Sequence, residues 1–287
     1  MALTINTNLA SMLVQKNMNA STTALNTAIQ RMTTGYRINS AKDDAAGMAV
    51  AIKLNTQLGG YDVASQNVQM GSAMLTTAEE NSNLILGHMQ RIRDLAEQAA
   101  NGVYDSSSKD AIASEINARL SEIGRLSKSV EFNGTNLLDG NAGTVKIQVG
   151  INGGGDNQID ISSALFNASP TTLLNSVLGA TASGGNAIVS SVTATATCSA
   201  VFDAIDTAIG TIKNTITAIG SLQNRLDSAA ESIEVARSNV SSALSTVRDA
   251  DVSTESSNYI KAQILQQAAA SLLTTANQSP SIALNLI

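Results

Sequence analysis

The sequence predicts a mainly α protein: a long antiparallel helical rod, coiled-coil-like, with three core helices, paired terminal helices and a small β-hairpin region. Three observations carry this. Apolar residues recur every 3.5 positions along two long stretches, the mark of helices laid side by side with a slight supercoil. Only two prolines occur in 287 residues, so little interrupts such helices. Aromatics make up 2% of the chain and Trp is absent. Packing must therefore rely on Ala, Leu and Ile, which suits slender, closely spaced helices.

The elements follow in chain order. Leu9, Met12, Leu13, Leu25, Ile29 and Met32 pattern an N-terminal helix. Between Thr33 and Ala46 the pattern breaks: Gly35 reads as a helix stop, Asn39-Ser40 as a connector, and Asp43-Asp44 as the opening of the next helix. A second rod runs from Tyr61 to Ala99. Alternating steps of three and four select Tyr61, Ala64, Val68, Gly71, Leu75, Ala78, Ser82, Ile85, Met89, Ile92, Ala96 and Ala99. Asn101-Gly102 ends it. Ser107 with Asp110 forms a capping-box pattern for a third helix, whose apolar face is Ile112, Ile116, Leu120, Ile123 and Val130.

Val145, Ile147 and Val149 alternate with Lys146 and Gln148, and Ile159 and Ile161 repeat the alternation. With Gly150–Asn157 as the turn, this predicts a β-hairpin. Residues 165–200, rich in Ser, Thr, Gly and Ala, predict one short helix around Leu173–Leu178 and an exposed Ser/Thr run up to Cys198. The longest helix spans Val201 to Ala250. Its seam is Ile212, Ile219, Leu226, Ile233, Val240 and Val247, with a companion seam at Ile209, Ile216, Gln223, Ala230, Arg237 and Leu244. The C-terminal helix carries Ile260, Ile264, Leu265, Ala268 and Leu272.

Charge sets the ends apart. Residues 1–30 contain only Lys16, and residues 252–287 only Glu255 and Lys261. Surface helices normally carry charge on their outer side, so these two read as made for burial. Frayed tails are the plain alternative. The sharper expectation is that the ends gain order only against each other and against neighbouring copies.

Several function classes are disfavoured. A net charge of −6 opposes binding to nucleic acid or anionic membranes. One cysteine, Cys198, excludes an intrachain disulfide and a Cys-based zinc site, and the single histidine, His88, reads as a surface or interface polar group rather than a ligand. The first residues lack a basic region followed by an apolar core, so no secretory signal peptide is expected. No apolar run approaches the ~18 residues of a spanning helix. Gly153-Gly154-Gly155-Asp156 reads as a hairpin turn rather than a calcium or phosphate loop, and Asp43-Asp44 and Asp249/Asp251 as helix-start and connector charges. No catalytic residue, cofactor or metal site is predicted.

Three stretches resemble a known family. RMTTGYRINSAKDDAAG from Arg31 to Gly47 is similar to the N-terminal signature of bacterial flagellins. MQRIRDLAEQAAN from Met89 to Asn101, followed by EFNGT from Glu131 to Thr135, resembles their core-rod segment. AQILQQA from Ala262 to Ala268 resembles their C-terminal helix. The resemblance implies a non-enzymatic subunit of the helical flagellar filament. It would be exported unfolded without a cleaved signal peptide, ordered on polymerisation outside the cell, and serve swimming motility. It implies an inner-tube domain (1–40 plus 252–287), an outer-tube rod with hairpin (41–165 plus 201–251) and a short variable exposed segment (166–200). Implied partners are further copies of the chain, the flagellar export apparatus, an export chaperone, the filament cap and hook-junction proteins.

Within that frame the polymerisation residues are Leu9, Leu13, Leu25, Ile29, Met32, Ile260, Ile264, Leu265 and Leu272. The rod core is Leu75, Ile85, Ile92, Ile116, Ile123, Ile212, Ile219, Leu226, Ile233 and Val240. Arg91, Leu95 and Glu115 align with family positions recognised by a host Toll-like receptor, although Asp94 and Glu97 depart from the usual pattern. The plain alternative is an exposed helix face, with Arg91 and Leu95 at i, i+4. Sugars on the Ser190–Ser199 run are a further family trait, with an ordinary low-complexity loop as the alternative. A hook–filament junction protein is the near rival to the filament reading. A signalling coiled coil is the rival from another class, and it would need charged ends and no strands at its turn.

Overall fold

Asp44 starts the second helix earlier than the apolar seam alone implies. Its Oδ1 accepts the Gly47 N–H at 2.9 Å, satisfying a donor that the first helical turn would otherwise leave unpaired. The computed structural model describes residues 7–174, 184–193 and 198–284. The helices are α1 (Leu9–Thr34), α2 (Ala45–Ala100), α3 (Ser106–Ser129), α4 (Pro170–Leu173), α5 (Gly184–Thr193), α6 (Cys198–Arg248) and α7 (Val252–Leu284). Two antiparallel hairpins lie between α3 and α4: β1 (Glu131–Phe132) with β2 (Thr135–Asn136), and β3 (Lys146–Gln148) with β4 (Gln158–Asp160). The chain divides into two compact units. One runs up to Leu58 and resumes at Ser238; the other is Gly59–Arg237.

In the Gly59–Arg237 unit, α2 packs antiparallel to both α3 and α6. Cross-helix pairs fix the directions: Arg91 with Glu115 at 3.2 Å and His88 with Arg119 at 3.4 Å on one side, Arg93 with Asp206 at 2.7 Å and Glu79 with Gln223 at 2.9 Å on the other. The α2 seam from Ala64 to Ala99 is buried at every position, and Tyr61 packs partly against it. Ile116 and Ile123 of α3 and Ile205, Ile212, Ile219 and Leu226 of α6 are fully buried against the same core. Helix α5 packs on α3, burying Ile188 and Val189.

The second seam of α6 shifts by one residue beyond Ile209, which is buried as expected. Thr215 and Leu222 are buried, whereas Ile216 is only partly buried against the core and Gln223 is half-buried. The companion register would have put Gln223 and Arg237 in the core. Instead Gln223 sits at its edge on Glu79, and Arg237 is exposed with Asp62 and Glu234. Buried Thr215 returns its hydroxyl to the Thr211 carbonyl at 3.1 Å, so the shifted seam leaves no polar atom of that side chain unpaired.

Helix α3 is capped by Asp105, whose carboxylate accepts the Ser108 N–H at 2.9 Å, not by the Ser107–Asp110 pattern. Those hydrogen bonds from Ser108 hold the Asp105 carboxyl below its ordinary value. The β3–β4 register pairs Lys146 with Asp160, Ile147 with Ile159 and Gln148 with Gln158. Ile147 lies against Gly71, where an added Cβ would meet its Cγ1 at 3.0 Å; the small residue in the α2 seam lets the hairpin approach the helix. The β1–β2 hairpin was not anticipated. Asn133 (φ 50°) and Gly134 (φ 78°) form its two-residue turn, the Asn-Gly pair favoured where both positions need positive φ.

A four-residue helix, Pro170–Leu173, ends where the expected Leu173–Leu178 helix begins, with Leu174 in a turn; residues 175–183 lie outside the described ones. Ser190–Thr193 of the Ser/Thr run close helix α5 rather than forming loop, and residues 194–197 lie outside the described ones.

Candidate assembly surface

The unit that joins the two ends of the chain is built on α1 and α7, packed antiparallel along their lengths. Asn8 caps α1 by accepting the Ser11 N–H at 3.0 Å, and its Nδ2 donates to the Ala276 carbonyl at 2.7 Å. Further along, Gln266 donates to Thr22 Oγ1 at 3.1 Å, and Arg31 meets Glu255 at 2.9 Å. Gly35 ends α1 in the left-handed conformation (φ 74°), returning its N–H to the Arg31 carbonyl.

A short backbone clasp holds the connector that follows. Arg37 N–H donates to the Arg248 carbonyl at 2.7 Å, and Ala250 N–H to the Gly35 carbonyl at 2.9 Å. The Arg248 guanidinium lies 4.0 Å from the centre of the Tyr36 ring, a cation–π contact. Ile38 is buried beneath this clasp. Asp43 folds the connector, its Oδ2 accepting the Asn39 N–H and both the N–H and hydroxyl of Ser40; the Ser40 bonds lead in drawing its carboxyl below the ordinary value. Asp251 caps α7 in the same manner through Ser253 and Thr254, with the same downward shift.

Burial in this pair is inverted by residue size. Among the described residues, the buried apolar ones of α1 and α7 are Ala28, Ala262 and Ala269. Most large aliphatics face outward: Leu9 is 72% exposed, Leu13 60%, Ile264 59% and Leu272 57%, whereas Val14, Met18 and Leu273 are half-buried. Ile29, Met32, Ile260 and Leu265 are exposed as well, and Leu25 is half-buried. Alanine lets the two backbones approach, and the small buried area between them leaves the large side chains with water as their neighbour. Charge does not explain that exposure. The two helices hold Lys16, Arg31, Glu255 and Lys261, and Arg31 and Glu255 neutralise each other with the Glu255 side chain only 9% exposed. What remains is a charge-poor surface on which exposed aliphatics alternate with uncharged polar groups such as Gln15, Asn19 and Thr23, with two lysines. A soluble chain seldom keeps so much aliphatic surface unless something covers it.

The other sequence-derived positions fall elsewhere. Of the rod-core residues, Leu75, Ile85, Ile92, Ile116, Ile123, Ile212, Ile219, Leu226 and Ile233 are buried, while Val240 is half-buried. Arg91 and Glu115 form an ion pair with side chains 48% and 38% exposed. Leu95 is 1% exposed, against the exposed face expected for it. It lies on the same side of α2 as Ile92 and Ala99, a stripe widened because α2 has a helix on two sides. His88 contributes its ring to Arg119 at 3.4 Å. Among the described residues no cluster of potential ligands is placed to hold a metal, and no helix is long and apolar enough to cross a membrane. The size-inverted burial is the feature that sequence reading missed, because composition shows the lack of charge but not which side of each helix faces its partner.

Comparison with known proteins places this geometry. Residues 5–143 match the family model for the bacterial flagellin N-terminal helical region, and residues 202–287 that for the C-terminal helical region. A flagellin of Halalkalibacterium halodurans is 31% identical over 283 residues, covering 99% of both chains. The B-type flagellin of Pseudomonas aeruginosa is 47% identical over 173 residues, a match spanning 60% of this chain but only 35% of that longer relative. A flagellar hook-associated protein of Vibrio parahaemolyticus, at 16% identity and a TM-score of 0.58, covers 72% of this chain and 100% of its own, a likeness of fold alone. With both terminal regions matched and a relative of equal length aligned end to end, the chain belongs to the bacterial flagellin family.

Proposed function

We propose that this chain is a structural subunit that polymerises into the helical filament of the bacterial flagellum, outside the cell, and that it has no enzymatic activity. The observation that supports this most directly is the size-inverted burial of α1 and α7, with alanines buried and most of the leucines and isoleucines exposed. Covering those side chains with neighbouring copies releases roughly 25 cal/mol per Å² of apolar surface, opposed by the entropy of ordering the segments. A contact between different faces of successive copies does not close on itself and builds an open helical polymer.

In this reading 1–40 with 252–287 forms the inner tube and 41–165 with 201–251 the surrounding rod, while 166–200 is a short variable segment whose helix α5 packs on α3 instead of standing exposed. The chain leaves the cell unfolded through the flagellar export apparatus, accompanied by an export chaperone. It adds beneath the filament cap, beyond the hook-junction proteins, and the filament drives swimming. Recognition by a host Toll-like receptor would engage the accessible Arg91 and Glu115, with Leu95 acting through the core rather than by contact.

The test is seeded elongation followed by electron microscopy and sedimentation. The full chain extends short filaments, whereas a chain lacking 1–40 and 252–287 stays monomeric and helical. Equal polymerisation by the shortened chain would remove the terminal helices from the mechanism.

A further inference from the structure

The outward surface of α1 includes two thioethers. Met12, beside the exposed Leu9 and Leu13, is 64% exposed, and Met32, beside Ile29, is 37% exposed. Met70 of α2, 58% exposed, is accessible as well but lies in the other unit and not on α1 or α7, whereas Met74 and Met89 lie in the rod core at 6% and 0%. Accessible thioethers oxidise and buried ones resist. We propose that Met12 and Met32 are oxidation sites at which peroxide converts the free subunit into one that adds poorly to a polymer, an inference that rests on the assembly reading above.

The sulfur lone pair attacks one oxygen of hydrogen peroxide. An S–O bond forms as the O–O bond breaks, and the second oxygen departs as water after proton transfer. Sulfur loses two electrons and peroxide gains them. The product replaces an apolar, flexible group with a strongly polar acceptor.

The surroundings offer that acceptor few donors. Thr33 and Thr34, which follow Met32, already donate to the Ile29 and Gln30 carbonyls at 2.7 and 2.9 Å, and the exposed Gln15 amide, one turn beyond Met12, would itself have to be drawn into the contact. Ser11, beside Met12, donates to Asn277 at 2.9 Å. Lys16, one turn beyond Met12, could serve its oxide only by drawing an ammonium into the apolar contact, which is itself unfavourable. A neighbouring copy packed on this surface would thus bury an unsatisfied polar group. Once assembled, the same sulfurs are covered, so the sensitivity belongs to the unassembled chain.

The experiment treats the full-length chain with hydrogen peroxide, maps sulfoxides by peptide mass spectrometry, and then measures seeded elongation. Met12 and Met32 oxidise before Met74 and Met89, helicity is unchanged, and the elongation rate falls about tenfold. Methionine sulfoxide reductase with a thiol donor restores it. The double variant Met12→Leu/Met32→Leu elongates equally before and after peroxide. Unchanged elongation of the oxidised chain would overturn the inference, as would equal inhibition of the double variant. Failure of the untreated chain to elongate at all would instead sink the assembly reading, and this inference with it.

Discussion

Replacing Ile260 and Ile264 by alanine puts a number on the outward surface of α7. The two side chains are 51% and 59% exposed and line a shallow groove with Ser257, Lys261 and Leu265. Each substitution removes three carbons, worth ~0.8 kcal/mol apiece when fully buried. Only about half of each side chain remains to be covered, so each loses about 1 kcal/mol on assembly and the pair about 2 kcal/mol. That corresponds to roughly a thirtyfold weaker association at every added subunit. The assay is the concentration of chain left soluble once seeded growth stops, which should rise by about that factor. Helicity of the free chain should not fall, because alanine is the better helix former and these side chains have few internal contacts to lose. A residual concentration within threefold of the original, with helicity intact, would mean that neighbouring copies do not cover this side of α7.

Four further outcomes are expected. Ile92→Ala, at a site with 0% exposure, lowers stability by ~2–5 kcal/mol in calorimetry, whereas Leu84→Ala, 56% exposed in the same unit, changes it by ~0.5 kcal/mol or less. Glu255→Ala leaves Arg31 without its carboxylate and loosens α1 from α7 by ~1.5–3 kcal/mol, read as faster amide exchange of both helices in assembled filaments. Asp105 has a depressed folded-state carboxyl, so its contribution to α3 is complete above the unfolded value near 4 and is lost as pH falls through the lower folded value; Asp105→Asn keeps the capping oxygen without the titration, and its helicity falls less steeply in acid. Finally, if order at the ends depends on assembly, amides of α1 and α7 exchange rapidly in dilute chain and slowly in filaments. Protection already present in the dilute chain would contradict that dependence.

Features set by local periodicity were legible in the sequence. The α2 seam follows from a single spacing rule, and burial of Gly71 and Ser82 within it needed no knowledge of the partner helices, since small residues fit where backbones come close. The β3–β4 pairing follows from alternation, because a one-residue slip would turn Ile147 and Ile159 away from the helix. The stop at Gly35 and the Asp44 start are likewise local, each depending on atoms within four residues.

The α6 register, the cap on α3, the burial of Leu95 and the division of α1 and α7 into an alanine side and an aliphatic side were decided only in three dimensions. Periodicity says that a helix has an apolar stripe but not how wide it is or where it is centred. Both depend on how many neighbours the helix has, as Leu95 shows on a helix flanked by α3 and α6. In the terminal pair the lack of charge leaves more than one face free to be covered, so the sequence does not say which face meets the partner helix. Close backbone approach buries the alanines, and the larger aliphatics are left half-buried or exposed because two helices alone cannot enclose them.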